Sequence, residues 1–415
     1  MNPIMDITHA SLSARSLRNH QIFALFLSML GELFLAGDWY GFAAVIPFIS
    51  KSLALSPGES GFVQGVFAIT YSVGLFVWSP LGRHLSARTL FVLGLCGCGV
   101  AMLLQAHVQS YAALIVLRLL IGFFDAAVWV GTMKLIVGWF PLARHGMVMG
   151  LLLSAFSFAI TLDFAVGIPV SESHGWRVFF EGLGIATFVV GLLGFLSIKG
   201  SPREMGDPNF QWESKPSIAR HGEAASVWTI LRSKWVYIGA IAIFGDTFAL
   251  AATATWAVPS FIANQGMPIS SAALIGTTMG LSQVSFLLLG GWLSDRMTKT
   301  SMLKIGAALA LVSATCYSLT TIFHTSWVGL IALSAFSGIA VLSGGAIFSL
   351  VSEKYGETLA ASAIGFAELG GILSTFVAPA LMGVVLGATR SFAAAFVPFV
   401  VVEALILVIL MLSAR

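Results

Sequence analysis

Hydrophobic residues in this chain come in long runs, and the polar residues between them come in short clusters. A helix that spans a bilayer needs about 20 mostly apolar residues. Cut at polar or Pro/Gly breaks, runs of that size fall near 21–49, 59–81, 89–108, 110–138, 146–170 and 177–198. A polar segment follows, "KGSPREMGDPNFQWESKPSIARHGEAAS", beginning at Lys199. Six more runs lie near 234–262, 270–293, 302–323, 326–351, 359–387 and 391–412. The pattern predicts an all-α membrane protein with 12 transmembrane helices. Its parts are an N-terminal tail (1–20), a six-helix bundle (21–198), a linker (199–233), a second bundle (234–412) and a short C-terminal tail (413–415).

Composition agrees with a lipid environment. Hydrophobic residues make up 58% and charged ones 9%, with a mean hydropathy of +0.94. Soluble domains hold roughly 45–50% and about 25% respectively, and so few charges could not cover so much apolar surface. The 43 glycines suit helices whose backbones approach closely in lipid. A net charge of +3 is too small to suggest nucleic acid as a partner. Cys96, Cys98 and Cys316 show no metal-binding spacing, and "CGC" within an apolar helix is expected to be inert. The start, "MNPIMDITHASLSARSLRNH", lacks the apolar core of a cleavable signal peptide.

Lys and Arg in short loops predict orientation. With the N-terminus inside, the cytoplasmic side holds Arg15, Arg18, Arg83, Arg88, Arg144, Arg296, Lys299, Lys304, Lys354 and Arg415, and the outer loops hold Lys51, Arg177 and Arg390. Both termini are thus expected in the cytoplasm of a multi-pass protein of the inner (plasma) membrane. The halves echo one another: Gly37-Asp38 in the first helix recurs as Gly245-Asp246 in the seventh, each followed by one span and a glycine-bearing basic loop. Duplicated bundles of this kind bind their ligand between the halves.

These features resemble the major facilitator superfamily of transporters. "GGWLSDR" (Gly290–Arg296) is close to its GGxxxDR signature, and "VLRLLIGFFDAA" places Arg118 and Gly122 in its fourth-helix motif. The equivalent loop between helices 2 and 3 keeps Gly82 and Arg83 but lacks the aspartate. Within the superfamily the pattern is similar to the anion:cation symporters. "LAGDWYGFAAVIPFI" aligns Asp38 and Pro47 with their first helix, and Asp125, Trp139-Phe140-Pro141 and Arg144 follow their fourth. Trp39 stands where those symporters usually carry arginine, and Glu368 where asparagine is common, so the cavity is less positive than theirs. The resemblance also implies that Arg83, Asp295 and Arg296 form a cytoplasmic gate, with a permanent loop-ordering bridge as the alternative.

Ionisable residues inside a membrane cost about 2.5–3.5 kcal/mol on insertion scales and are functional by default. The acids are Glu32, Asp38, Asp125, Asp163, Asp246, Glu368 and Glu403, and the bases Arg118 and Lys134. Arg118 and Asp125 lie seven residues apart and share a helix face, which Trp129 continues. That spacing predicts an ion pair which trades with a protonated acid during transport, or else a permanent structural bridge. Asp38 has no arginine beside it and is expected to carry the proton, with Asp125 and Glu32 as further proton-coupling groups. Glu32 sits about 120° around the helix from Asp38, so both cannot look straight into one cavity. Arg118, Trp39, Tyr71, Trp129, Asp246 and Glu368 are expected to meet substrate. Asp163 and Glu403 carry less weight, and Lys134 is expected to snorkel to the interface.

The sequence therefore predicts proton-coupled symport of a small organic solute, a monocarboxylate or another small metabolite, by alternating access. The expected partners are that solute, protons and lipid, with no nucleic acid, cofactor or metal, and with the monomer as the functional unit. Proton-coupled efflux of lipophilic or cationic compounds is the alternative; the fifth helix lacks the GxxxGPxxGG pattern common there, while the excess of buried acids favours it. A flux-free sensor would need a cytoplasmic domain for which there is no room. Enzyme chemistry has no support, because no histidine lies deep in a span and no phosphate-cradling GxxxxGK occurs.

Overall fold

The structure, a computed structural model, describes residues 14–82, 84–141, 145–205, 231–294 and 296–413. The first half contains α1 (Ala14–Leu53), α2 (Pro57–Leu81), α3 (Ala87–Gln105), α4 (Tyr111–Trp139), α5 (His145–His174) and α6 (Trp176–Ser197). The second contains α7 (Lys234–Gln265), α8 (Ile269–Ser294), α9 (Lys299–Thr320), α10 (Trp327–Phe336), α11 (Gly344–Thr389) and α12 (Phe392–Ser413). A 3-10 turn, Ser337–Val341, links α10 to the next helix. No strand occurs among the described residues, and 12 stretches are long and apolar enough to cross a membrane. Most of the predicted linker falls in 206–230, outside the described residues.

Local chemistry sets the helix starts. Ser56 accepts from the amide of Glu59 while Glu59 accepts from the amide of Ser56, a capping box that opens α2. Ser86, Ser110, Thr298 and Ser326 cap α3, α4, α9 and α10 through their hydroxyls. α1 begins seven residues before the predicted start at 21, because "ARSLRNH" continues the helix beyond the apolar run.

The tenth span, Trp327–Val351, ends inside α11, and the eleventh, Ala363–Thr389, fills the rest of that helix. A Cβ on Gly239 of α7 would lie 2.7 Å from Val351 and 3.4 Å from Ala367. A straight helix would hold residues 16 apart at about 24 Å, so the two spans lie side by side against α7.

Two six-helix bundles result. In the first, α2 packs on α4, α3 on α4 and α6, and α1 on α5; in the second, α7 packs on α11 and α9 on α12. α2 and α4 are joined along their length. Thr70 Oγ1 donates to the Leu119 carbonyl (2.6 Å) and Trp78 Nε1 to the Phe123 carbonyl (2.9 Å). At the end nearest the chain termini, Lys134 Nζ donates to the carbonyls of Gly82 and Leu85. Lys134 was expected to snorkel to the interface; its amine reaches the loop at this end and caps the turn after α2, where two open carbonyls lie within reach of its stem. A Cβ on Gly122 would overlap the Phe67 carbonyl oxygen, so only glycine allows this approach.

The halves meet along two seams, α2 with α11 and α5 with α8. Both close on the side away from the chain termini. A Cβ on Gly61 would overlap the Pro379 carbonyl, one on Gly276 the Phe164 side chain, and one on Gly280 the Thr161 hydroxyl. On the side of the termini the halves part. A cavity of about 920 Å³ opens there, bounded by Leu75 and Ser79 of α2, Trp129 and Met133 of α4, and Phe366 and Leu369 of α11.

Candidate functional site

Asp38 lies on α1, within the apolar run that also contains Pro47. It is 1% exposed, and neither carboxyl oxygen has a hydrogen-bond partner. Asp125 of α4 is 0% exposed. Its Oδ2 accepts from Trp39 Nε1 (2.9 Å) and its Oδ1 from the thiol of Cys98 on α3 (3.1 Å). One ligating atom each from Asp38, Cys98 and Asp125 lies within 4.8 Å of the others. Three helices thus bring two carboxyls and a thiol together in the interior of the first half.

Arg118 and Asp125 do not form the predicted ion pair. The guanidinium donates to the carbonyls of Asp38 (2.6 Å), Gln64 (3.1 Å), Val63 (3.3 Å) and Trp39 (3.5 Å). It also lies 4.7 Å from the Phe67 ring centroid and 5.2 Å from that of Phe42. A helical carbonyl keeps a second lone pair, so α1 and α2 offer Arg118 four acceptors nearer than the carboxylate two turns away. The 0% exposed Arg118 therefore staples α1 and α2 to α4 and leaves no fork open to a solute.

The seven-residue spacing put Arg118 and Asp125 on one face of α4, but spacing gives no account of competing carbonyls. Cys98 was expected to be inert, and it touches Asp125. No sequence signal could have paired a lone cysteine on α3 with an acid on α4.

Trp39 joins the carboxyl pair to an aromatic group. Its ring centroid is 4.7 Å from Phe67, 5.0 Å from Tyr71 edge-on and 5.7 Å from Phe156. Tyr71 lies one turn from Leu75, which borders the cavity, and Trp129 lines the cavity itself.

The other predicted residues fall in separate places. Glu32 is 2% exposed, with no partner for Oε2. Glu368 of α11 is half-buried, next to the cavity-lining Leu369. Asp246 is enclosed in the second half, where the Ser343 hydroxyl donates to its carboxyl (2.9 and 3.0 Å to the two oxygens). Glu403 of α12, 0% exposed, lies beside it with both oxygens unpartnered. Asp163 of α5 faces Gly37 and leaves Oδ2 without a partner. Arg296 is exposed and lies over the Trp292 ring, 3.8 Å from its centroid. Arg83, Asp295 and Arg144 lie outside the described residues.

The helices form a paired six-helix architecture, with glycine seams on one side and a cavity on the other. The family model of the Major Facilitator Superfamily matches residues 28–379 and, in a second match, 239–415. The chain belongs to this superfamily. It is a multi-pass membrane transporter and not an enzyme.

Among its relatives, the hexuronate transporter of Bacillus subtilis is 23% identical over 382 residues, covering 88% of this chain and 89% of the relative. The probable galactarate/D-glucarate transporter GudP of Escherichia coli is 23% identical over 437 residues (97% and 95%). A putative tartrate transporter of Agrobacterium vitis is 24% identical over 367 residues (85% and 80%). These relatives fit the symporter branch that the first- and fourth-helix motifs of the chain suggest. In three dimensions the transporter is similar to a bacterial homolog of the human lysosomal transporter Spinster in its inward-facing, occupied conformation. The TM-score is 0.77 at 14% identity, covering 95% of this chain and 97% of that one.

Of the residues that could hold a metal ion, Asp38, Cys98 and Asp125 are the group with suitable spacing among those described. The indole N–H already occupies one oxygen of Asp125, and the positive guanidinium beside Asp38 opposes a dication there.

Proposed function

We propose that this transporter moves a small organic solute across the inner membrane in symport with protons, and that the Asp38–Asp125 pair carries the proton. The observation behind this reading is the convergence of the two carboxyls and the Cys98 thiol within 4.8 Å in a fully buried site. Two carboxylates at such a distance repel strongly in a low dielectric, and one shared proton removes the repulsion. The pair therefore has two stable charge states, with and without the proton, and each favours a different packing of α1 against α4. Because α1 and α4 belong to the half that rocks against α8 and α11, loading the pair is coupled to which side is open.

In this reading both termini are cytoplasmic, the cavity beside Trp129 faces the cytoplasm, and the described conformation is inward-open. Arg83, Asp295 and Arg296 act at the cytoplasmic gate when the halves close on that side. The monomer is the functional unit in this reading. Residues 199–233 link two domains, 21–198 and 234–412.

The relatives carry sugar acids in their names, which brings a carboxylate solute to mind for this chain too. A carboxylate would need a free cation, and both basic side chains within the spans, Arg118 in the interior and Lys134 near one end, are held by backbone carbonyls. That observation supports the antiport of a cationic compound as a second reading.

The experiment is solute accumulation in proteoliposomes with an imposed pH gradient. Accumulation driven by a proton gradient directed inward supports symport, loss driven by the same gradient supports antiport, and equilibration indifferent to the gradient overturns proton coupling.

A further inference from the structure

On its lipid-facing flank the first half carries an apolar groove of about 660 Å³ that solute transport does not use. Its floor is one face of α3, set by Arg88, Val92, Cys96, Val100 and Leu104 at four-residue steps. Phe124 of α4 forms one wall, and Phe188 and Phe195 of α6 form the other. Val100, Leu104 and Phe195 are exposed, so the groove opens away from the bundle and toward the bilayer. The rise from Arg88 to Leu104 is about 24 Å, most of a hydrocarbon core about 30 Å thick.

The groove is charged at one end only. Arg88 lies in the first turn of α3, on the side of the chain termini, and its Nε donates to the Ile198 carbonyl at the end of α6 (2.8 Å). Among the described residues, its two terminal nitrogens have no acceptor. Lys199, exposed, follows Ile198 directly, so α3 and α6 each bring a cation to the mouth of the groove. No acidic residue lines it.

In a membrane, a helix or a lipid chain could cover such a face. A partner helix needs small residues whose backbone it can approach closely, and Gly97 and Ala101 on the floor have that spacing. Phe124 already occupies the place: a Cβ on Gly97 would lie 2.5 Å from its ring, and Ala101 is buried. A helix is also about 10 Å across, too wide for about 660 Å³ drawn out along this length, whereas a single acyl chain is slender enough. Such a chain gains little by leaving bulk lipid, because lipid tails are as apolar as the side chains lining the groove. Choice among lipids therefore falls to the paired cations, which favour an anionic headgroup.

We propose that the groove holds one acyl chain of an anionic phospholipid from the leaflet on the side of the termini, with the phosphate bound between Arg88 and Lys199. The lipid bridges α3 and α6 within one half and crosses neither seam. It therefore stiffens that half without joining it to the other.

The test uses the purified full chain, delipidated in detergent, and native mass spectrometry with added dioleoylphosphatidylglycerol or dioleoylphosphatidylcholine. The expected result is one retained copy of phosphatidylglycerol, bound more tightly than phosphatidylcholine. Affinity is expected to fall roughly fivefold in Arg88→Gln and in Lys199→Gln, and about 25-fold in the double variant, the scale of one cation near a membrane surface. Val100→Trp, which fills the groove, is expected to weaken retention with both cations still in place. Glycerophosphoglycerol, the headgroup without chains, is expected not to bind. Lys354→Gln, on an exposed cation of the second half, is the control and leaves retention unchanged. Thermal midpoints without lipid show which variants fold, and Lys199→Gln, on an exposed residue, keeps the test decisive should Arg88→Gln unfold.

Equal retention of the two lipids, undiminished retention in Lys199→Gln, or full retention in Val100→Trp each overturns the proposal. So does a lipid-independent pair of chains that Val100→Trp splits, since a second copy would then cover the groove.

Discussion

Arg118 holds Asp38 by its backbone and not by its side chain: Nη1 donates to the Asp38 carbonyl at 2.6 Å, while both carboxyl oxygens are without a partner. The residue is thereby fixed in place and its acid left available. Under the proposed proton coupling, fixing and proton carriage are separate jobs at this position, and mutation can separate them.

Asp38→Asn keeps the carbonyl that Arg118 uses, so the variant is expected to fold with a thermal midpoint within a few degrees of the parent. Proton-driven accumulation is expected to disappear, while exchange of labelled for unlabelled solute, which needs no net proton movement, continues. Undiminished accumulation in this variant would remove Asp38 from the proton pathway.

Arg118→Ala removes a staple between three helices. Charged hydrogen bonds contribute about 1.5–3 kcal/mol each, so a loss of at least that size is expected, measured as a lower thermal midpoint in detergent. Arg118→Lys is expected to recover little of it, since one ammonium cannot reproduce a planar fork that reaches carbonyls on two helices. A lysine variant as stable as the parent would show that the position needs only charge.

Gly61→Leu places a side chain against the Pro379 carbonyl, and Gly280→Val places one against Thr161. Both are expected to hold the two seams apart on the side away from the termini. Spin labels across α2 and α11 on that side should report a longer distance in either variant. An unchanged distance distribution would mean that the seams tolerate bulk and do not set the conformation.

Cys98 is 0% exposed, whereas Cys96 and Cys316 are half-buried. With Cys96 and Cys316 replaced by alanine, the remaining thiol is expected to resist a polar maleimide in the native protein and to react on unfolding. Rapid native labelling would show that water reaches the carboxyl pair directly in this conformation.

The membrane architecture was legible because its signal is long and repetitive. Runs of apolar residues near 20 in length reflect a bilayer thickness, and the Gly37-Asp38 and Gly245-Asp246 echo reflects a duplicated half. The interior polar chemistry was less legible. Asp38, Asp125 and Trp39 were singled out as rare polar or aromatic positions, yet their connection to one another runs through space between α1, α3 and α4. Arg118 shows the limit most clearly. Its carboxylate lies on the same helix face, but its partners are carbonyl oxygens, and every residue in the sequence has one. Cys98 was read as inert for a related reason, since a small side chain takes its role from whatever the neighbouring helix presents.

The join between α2 and α4 carries a consequence for how the working cycle can be watched. Thr70, Trp78 and Lys134 fasten the two helices from one end to the other, with the Gly122–Phe67 contact between them. Neither helix can tilt alone without breaking that series of bonds. A single reporter distance from any point on this pair to α11 is therefore expected to follow both helices together, so one coordinate times the proposed rocking of that pair.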